Sequence, residues 1–351
     1  MKNIKKLVLV CTLLIATILF AFSIEDTQYK EIKLSFKSNK NVLEGTLVLP
    51  KNKQGPYPLV IFIHGDGALP YDAYGYYNPL WQELAKRGIA SFSWNKAGVE
   101  NSTGNWYFQT MEQRANEVVD ALNMIKEHED ISKNEIGAIS YSQAGWVIPM
   151  VSKKTDILRF NVIVSGAISW MEQNQFTTKL KLKELGYSKS KIKKALTYNS
   201  TLNSTYEGYL KNYNKNAPSF YKELYQPMNF ERFTFSLLNH KSDSTKSLKY
   251  IKTPTLAIFG KNDTNIDVKN TINVYKKEFH ENLIIKRFDN AQHSLLSTQY
   301  FENTKYDWWH VLKFELLQEE AFPEHYLNFM VNWIEEAIKI NVRYTSENII
   351  P

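Results

Sequence analysis

Only one cysteine, Cys11, occurs in the 351 residues, and it lies in an apolar run near the amino terminus. Downstream of that run there is none, which excludes disulfides, thiolate catalysis and cysteine-ligated metals from the rest of the chain. Its stability must therefore come from packing. No two of the seven histidines stand at metal-ligand spacing with a carboxylate, so the sequence implies no metal-dependent mechanism and no cofactor. No repeat period is visible. The formal charge of +7 comes without a basic, aromatic-interleaved motif, and this argues against a nucleic-acid partner.

What is present begins with Lys2, Lys5 and Lys6 ahead of the uncharged run Leu7 to Phe22. Its sixteen residues fall short of the roughly 20 that span a bilayer comfortably, and Ala21-Phe22-Ser23 has the form of a signal-peptidase site. Residues 1–23 are therefore expected to be an export signal and the protein to be extracytoplasmic. An uncleaved anchor, and with it a membrane association, is the alternative. Val8-Leu9-Val10 lacks the small residue that lipidation of Cys11 would need. Loss of this segment removes three lysines and no acid, lowering the formal charge to +4. A hydrophobic content of 43% with 14% aromatics suits an ordinary globular enzyme.

Tyr29 to Lys37 and Val42 to Leu49 form an expected antiparallel pair about an Asn39-Lys40-Asn41 turn. Short apolar runs follow at Leu59 to Ile63, Ile89 to Trp94, Ile136 to Ile139, Phe160 to Val164, Thr255 to Phe259 and Leu283 to Phe288. Runs apolar on both faces are what a parallel sheet covered by helices requires. Met111, Ala115, Val118, Leu122 and Ile125 recur at helical spacing between two of them, and Leu327, Met330, Val331, Ile334 and Ile338 do so near the end. The expected fold class is thus α/β: a mostly parallel, doubly wound sheet with antiparallel amino-terminal strands. Residues 24–168 and 251–351 would form this core. Residues 169–250 contain no convincing strand and read as an inserted helical cap. The lysines crowded at 179–194 are a solvated helix face or, on a sharper reading, attract an acidic substrate or anionic cell surface.

Ser142 lies in Ser140-Tyr141-Ser142-Gln143-Ala144-Gly145, between an apolar strand and an expected helix Trp146 to Lys153. A nucleophile on a sharp strand-to-helix turn needs small residues two positions before and after it, and Ser140 and Ala144 are small. A serine hydroxyl also needs a base, and the base needs a carboxylate to hold its tautomer. Asp263 follows the strand ending at Phe259, and His293 follows the strand ending at Phe288. All three then fall at the carboxyl ends of strands, where open α/β sheets build their sites. Asp267 is a rival acid that could instead cap the next helix. Among the other histidines, His64 is expected to be structural, while His128, His240, His280, His310 and His325 lie in helical or cap contexts. Charge developing on the substrate carbonyl would be met by the backbone N–H groups of Gln143 and Asp66, the Asp66 side chain turning away. Trp170, Met171, Tyr306, Trp308, Trp309 and the aromatics of the insertion are open candidates for a pocket lining.

His64-Gly65-Asp66-Gly67, Leu84 to Ala90, Asn95 to Gly104, Ser140 to Gly145, Gly260 to Asp263 and Ala291-Gln292-His293, taken in order, resemble the α/β-hydrolase superfamily, and within it capped bacterial esterases and serine-aminopeptidase-like hydrolases. The resemblance spans about residues 30 to 340 and implies a metal-free serine, acid and histidine triad acting on a small-molecule acyl substrate. Ser140 and Ala144 depart from the usual glycines, and Asn95 and Ala97 from an aspartate and an arginine that brace the loop after the fourth strand. An ester is the expected substrate of an exported serine hydrolase. A peptide, thioester or lactone on the same triad, or a binding protein with a dead site, are the alternatives.

Overall fold

The computed structural model describes residues 27–201, 203–279, 282–302 and 308–347. The expected export segment, His280 and Tyr306 lie outside these residues.

An eight-stranded sheet has the order β1-β2-β4-β3-β5-β6-β7-β8. β1 (Tyr29–Ser38) and β2 (Asn41–Pro50) pair antiparallel from Tyr29↔Pro50 to Ser38↔Asn41. Their turn is Asn39-Lys40, with Asn39 at φ +53°, a left-handed conformation that asparagine tolerates well. β2 pairs antiparallel with β4 (Ala90–Trp94). The remaining pairs, among β3 (Tyr57–Ile63), β4, β5 (Ile131–Tyr141), β6 (Asn161–Val164), β7 (Thr255–Gly260) and β8 (Leu283–Phe288), are parallel.

Alternation along these strands divides the core in two. Leu59, Ile61, Ala138, Ala257 and Phe259 join one cluster, while Val60, Phe62, Ile139, Leu256 and Ile258 join the other. α1 (Asn78–Lys86) and α11 (Tyr326–Glu347) cover the second face through Trp81, Leu84, Met330 and Ile334. α2 (Met111–Ile125), α3 (Ile148–Lys154) and α9 (Val268–Glu278) cover the first. α2 starts where Thr110 and Gln113 form a capping box, and its stripe Met111, Ala115, Val118, Leu122 and Ile125 is buried. Each large side chain so buried contributes about 1.5–3 kcal/mol.

β3 has β4 on one side and β5 on the other. The chain therefore leaves β3 in one direction and returns on the opposite side, which opens a crevice between the loops that follow β3 and β5. Between β6 and β7 the chain forms α4 (Trp170–Glu184), α5 (Lys189–Asn199), α6 (Tyr206–Asn216), α7 (Ser219–Leu224) and α8 (Phe230–Asn239). The two ends of this helical segment meet, because Ser169 and Asp243 form an antiparallel bridge and Trp170 N–H donates to the Ser242 carbonyl at 2.9 Å. α10 (Trp308–Leu317) precedes α11, with Trp308 and Trp309 exposed.

The helix expected from Trp146 begins two residues later. Ser142–Gly145 forms a 3-10 turn, and α3 starts at Ile148 with Pro149 in its first turn, where the missing N–H has no helical partner to lose. Trp146 is instead buried, donating from Nε1 to the Ile168 carbonyl at 2.9 Å.

Candidate active site

β5 delivers Ser142 at its carboxyl end with φ +49°, a strained conformation for a residue with a Cβ. Ser140 and Ala144 are fully buried on either side of it. Gly145 cannot be larger: a Cβ there would meet the Gly166 Cα at 2.9 Å.

The loops after β7 and β8 are zipped together. Lys261 N–H donates to the Phe288 carbonyl and Asn262 N–H to the Ala291 carbonyl, both at 2.9 Å. A Cβ on Gly260 would lie 2.3 Å from the Ala291 carbonyl oxygen, so the close approach depends on a glycine at that point. A bridge between Ala291 and Ser297 folds the second loop back, and the Tyr76 hydroxyl donates to the Ser294 carbonyl. This framework brings His293 beside Asp263. His293 Nδ1 lies 2.8 Å from Asp263 Oδ2 and Nε2 lies 2.8 Å from Ser142 Oγ. Both bonds form when Nδ1–H donates to the carboxylate and the serine hydroxyl donates to Nε2. The other Asp263 oxygen accepts the N–H groups of Asn265 at 2.7 Å and Ile266 at 3.1 Å. The Asp263 side chain is fully buried and that of His293 is 17% exposed. Asp267 takes the other role anticipated for it, accepting Asn270 N–H at 3.0 Å as the N-cap of α9.

The loop after β3 packs against this constellation. A Cβ on Gly65 would sit 3.5 Å from that of Ser142, so its backbone runs beside the hydroxyl. Among the described residues, no acceptor faces the backbone N–H of Gln143 or of Asp66. The Asp66 side chain does not turn away from this space. Its carboxylate accepts Gln143 Nε2 at 3.1 Å and both terminal guanidinium nitrogens of Arg232, from α8, at 3.0 and 2.8 Å. Burial pushes this carboxyl up, but the bonds and charge of Arg232, the Lys96 charge and the Gly67 N–H outweigh it and hold it below the usual range. A charge that would oppose an oxyanion if free is thereby neutralised in place.

Two further cations hold the loop after β3. Arg114 is buried and donates to Gln143 Oε1 at 2.5 Å and to the His64 carbonyl at 2.6 Å, fixing the side chain next to the serine and the loop opposite it. Lys96, also buried, donates to the Gly65 carbonyl at 2.9 Å. Asn95 Oδ1 accepts Tyr71 N–H at 2.8 Å, so Asn95 and Lys96 tie the loop after β4 to the loop after β3. Arg114 had a visible signal, since it falls at helical spacing between Met111 and Val118 on an otherwise apolar stripe. Arg232 had none.

His64 is enclosed, with Nε2 2.6 Å from the Trp94 carbonyl and Nδ1 2.9 Å from the Tyr77 hydroxyl. Burial first, then the Lys96 and Arg114 charges, lower its pKa from 6.5 to about 3 despite the Trp94 bond. The unfolded chain therefore binds a proton between about pH 6.5 and 3 that the folded chain refuses, and stability falls as pH falls through that window. Thermal melts should lose at most about 1.4 kcal/mol per pH unit from this group. His64→Gln should flatten that slope, and an unchanged slope would contradict the assignment.

A family profile described as serine aminopeptidase, S33, matches residues 54–299. The chain belongs to this family of α/β hydrolases. The matched span includes all of the loops just described. Solved structures share the fold: the α/β hydrolase GrgF of Penicillium sp. sh18 (15% identity, 88% of this chain and 99% of that one, TM-score 0.56), Est1E of Butyrivibrio proteoclasticus with bound ferulic acid (12%, 88% and 99%, 0.55) and an esterase of Pyrococcus furiosus (14%, 91% and 93%, 0.55). At such identities the likeness shows the fold alone. No curated protein sequence matches. The protein is a hydrolase.

Proposed function

We propose that this hydrolase is an exported serine enzyme that cleaves carboxylic esters through an acyl-enzyme. The observation that carries the reading is the pair of 2.8 Å distances linking Ser142, His293 and Asp263. Ser142 Oγ attacks the ester carbonyl as His293 Nε2 takes its proton, and Asp263 holds the imidazole and stabilises its cation. The N–H groups of Gln143 and Asp66 receive the developing oxyanion. His293 then protonates the departing alcohol, and a water activated by the same ring releases the acid. The lysine-led segment 1–23 supports export. The insertion serves as a cap, since its residues and Ser142 border one cavity.

An ester is favoured over an aminopeptidase substrate by the charge balance of that cavity. A free amino terminus wants an unpaired carboxylate. Among the described residues bordering the cavity, Asp66 is the one acid, and Arg232 occupies it. The test is covalent labelling of the mature form with a fluorophosphonate, followed by a panel of esters, amides and thioesters. Labelling confined to Ser142 with esters turned over fastest is the expected result. No adduct on folded protein would reject the mechanism in favour of a binding role.

A further inference from the structure

The cavity that begins at Ser142 runs into the insertion and encloses about 520 Å³, a usual size for a small-molecule site. Its lining is unusual for one. Such sites are mostly hydrophobic with few polar groups, whereas this one interleaves amide and hydroxyl side chains with aromatic rings along its length. Met171, Met228 and Leu237 are its aliphatic members among the described residues, too few to make a tunnel for a fatty chain. Its one Lys or Arg among those residues, Arg232, is committed to Asp66 by two hydrogen bonds. An anionic ligand therefore finds no free lysine or arginine, and a cationic one no free carboxylate.

Several lining groups have bonding capacity to spare. Gln173 and Asn174, successive half-buried residues of α4, have side-chain amides with no hydrogen-bond partner among the described residues, and the same holds for the Tyr198 hydroxyl. An amide presents a donor and an acceptor side by side, as does a hydroxyl-bearing ring. Burial pushes the Tyr198 phenol up to about 12, so it stays protonated and can donate. Beside it the rings of Tyr198, Tyr221 and Tyr225 form a continuous aromatic wall, with centroids 5.1 and 4.6 Å apart. The negative face of an aromatic ring attracts the weakly positive C–H edges of a sugar.

We propose that the cavity binds the saccharide of an acylated sugar, so that the substrate class is an uncharged carbohydrate ester. This deepens the esterase reading and rests on it for turnover, though not for binding. Gln173, Asn174 and Tyr198 then determine specificity by pairing with sugar hydroxyls that an alkyl ester lacks.

Calorimetry on Ser142→Ala protein separates recognition from chemistry. A monoacetylated disaccharide should bind at least about tenfold more tightly than hexyl acetate, consistent with a net gain from two or more hydrogen bonds. Adding Gln173→Leu and Asn174→Leu should erase that preference, and the volume-conserving Tyr198→Phe should reduce it about threefold. In the active enzyme, the ratio of kcat/KM for the saccharide ester to that for p-nitrophenyl acetate should fall in the same order. Equal binding of the alkyl ester, or a ratio unmoved by either set of variants, overturns the saccharide assignment even if p-nitrophenyl acetate is hydrolysed. Saccharide binding with no turnover of any ester would instead leave recognition standing and sink the catalytic reading.

Discussion

Ser142→Ala is expected to lower kcat on p-nitrophenyl acetate by a factor on the order of 10⁶, the loss seen when the nucleophile of a serine triad is removed. The loss follows from the chemistry: without Oγ no acyl-enzyme forms, and only the oxyanion donors and substrate positioning remain to assist water. The fold should persist. Ala at 142 inherits the φ of +49° already tolerated there, while Ser140, Ala144 and Gly145 keep their packing. Rates of wild type and variant, with melting temperatures within a few degrees, would make the comparison clean. Equal rates would show that hydrolysis, if any, arises elsewhere.

Asp263→Asn should cost on the order of 10⁴ in kcat, for a subtler reason. The amide oxygen can still accept the Asn265 and Ile266 N–H groups that now bind Oδ1, so the loop has no cause to move. The amide nitrogen, however, would face His293 Nδ1 across a 2.8 Å gap and favour the tautomer with the proton on Nε2. That nitrogen could no longer accept the serine proton. Asp267→Ala is the control, because it removes only the N-cap of α9 and should cost about 0.5–2 kcal/mol of stability with turnover retained. If Asp267→Ala silenced the enzyme and Asp263→Asn did not, the acid would have been misassigned.

The contrast between these two aspartates shows what a linear reading can and cannot resolve. Both follow β7 within a few residues, and both suit a loop or a cap. Only the zipped contact at Gly260, where the backbone of the 291–292 loop comes within a Cβ's reach, places Asp263 against the imidazole. Strands were legible because residues buried on both faces leave uninterrupted apolar runs, and α2 because its stripe repeats at 3.6 residues. The start of α3 was misplaced because the 3-10 turn at Ser142–Gly145 obeys close backbone packing rather than side-chain periodicity. The Asp66 carboxylate stayed at the cavity because its partner, Arg232, lies 166 residues away in a segment without a motif.

The order of elements, the sheet and the identity of the family were determined by the sequence itself, since local patterns and ordered short motifs encode them. The tertiary structure decided which groups meet. Ser142 and His293 are 151 residues apart and touch because parallel strands present their carboxyl ends at one edge. It decided as well that the charges of Asp66 and Arg232 cancel, since the pairing depends on how α8 packs over the loop after β3. That cancellation leaves a neutral, hydrogen-bonding cavity beside the serine, a property belonging to no single stretch of the chain.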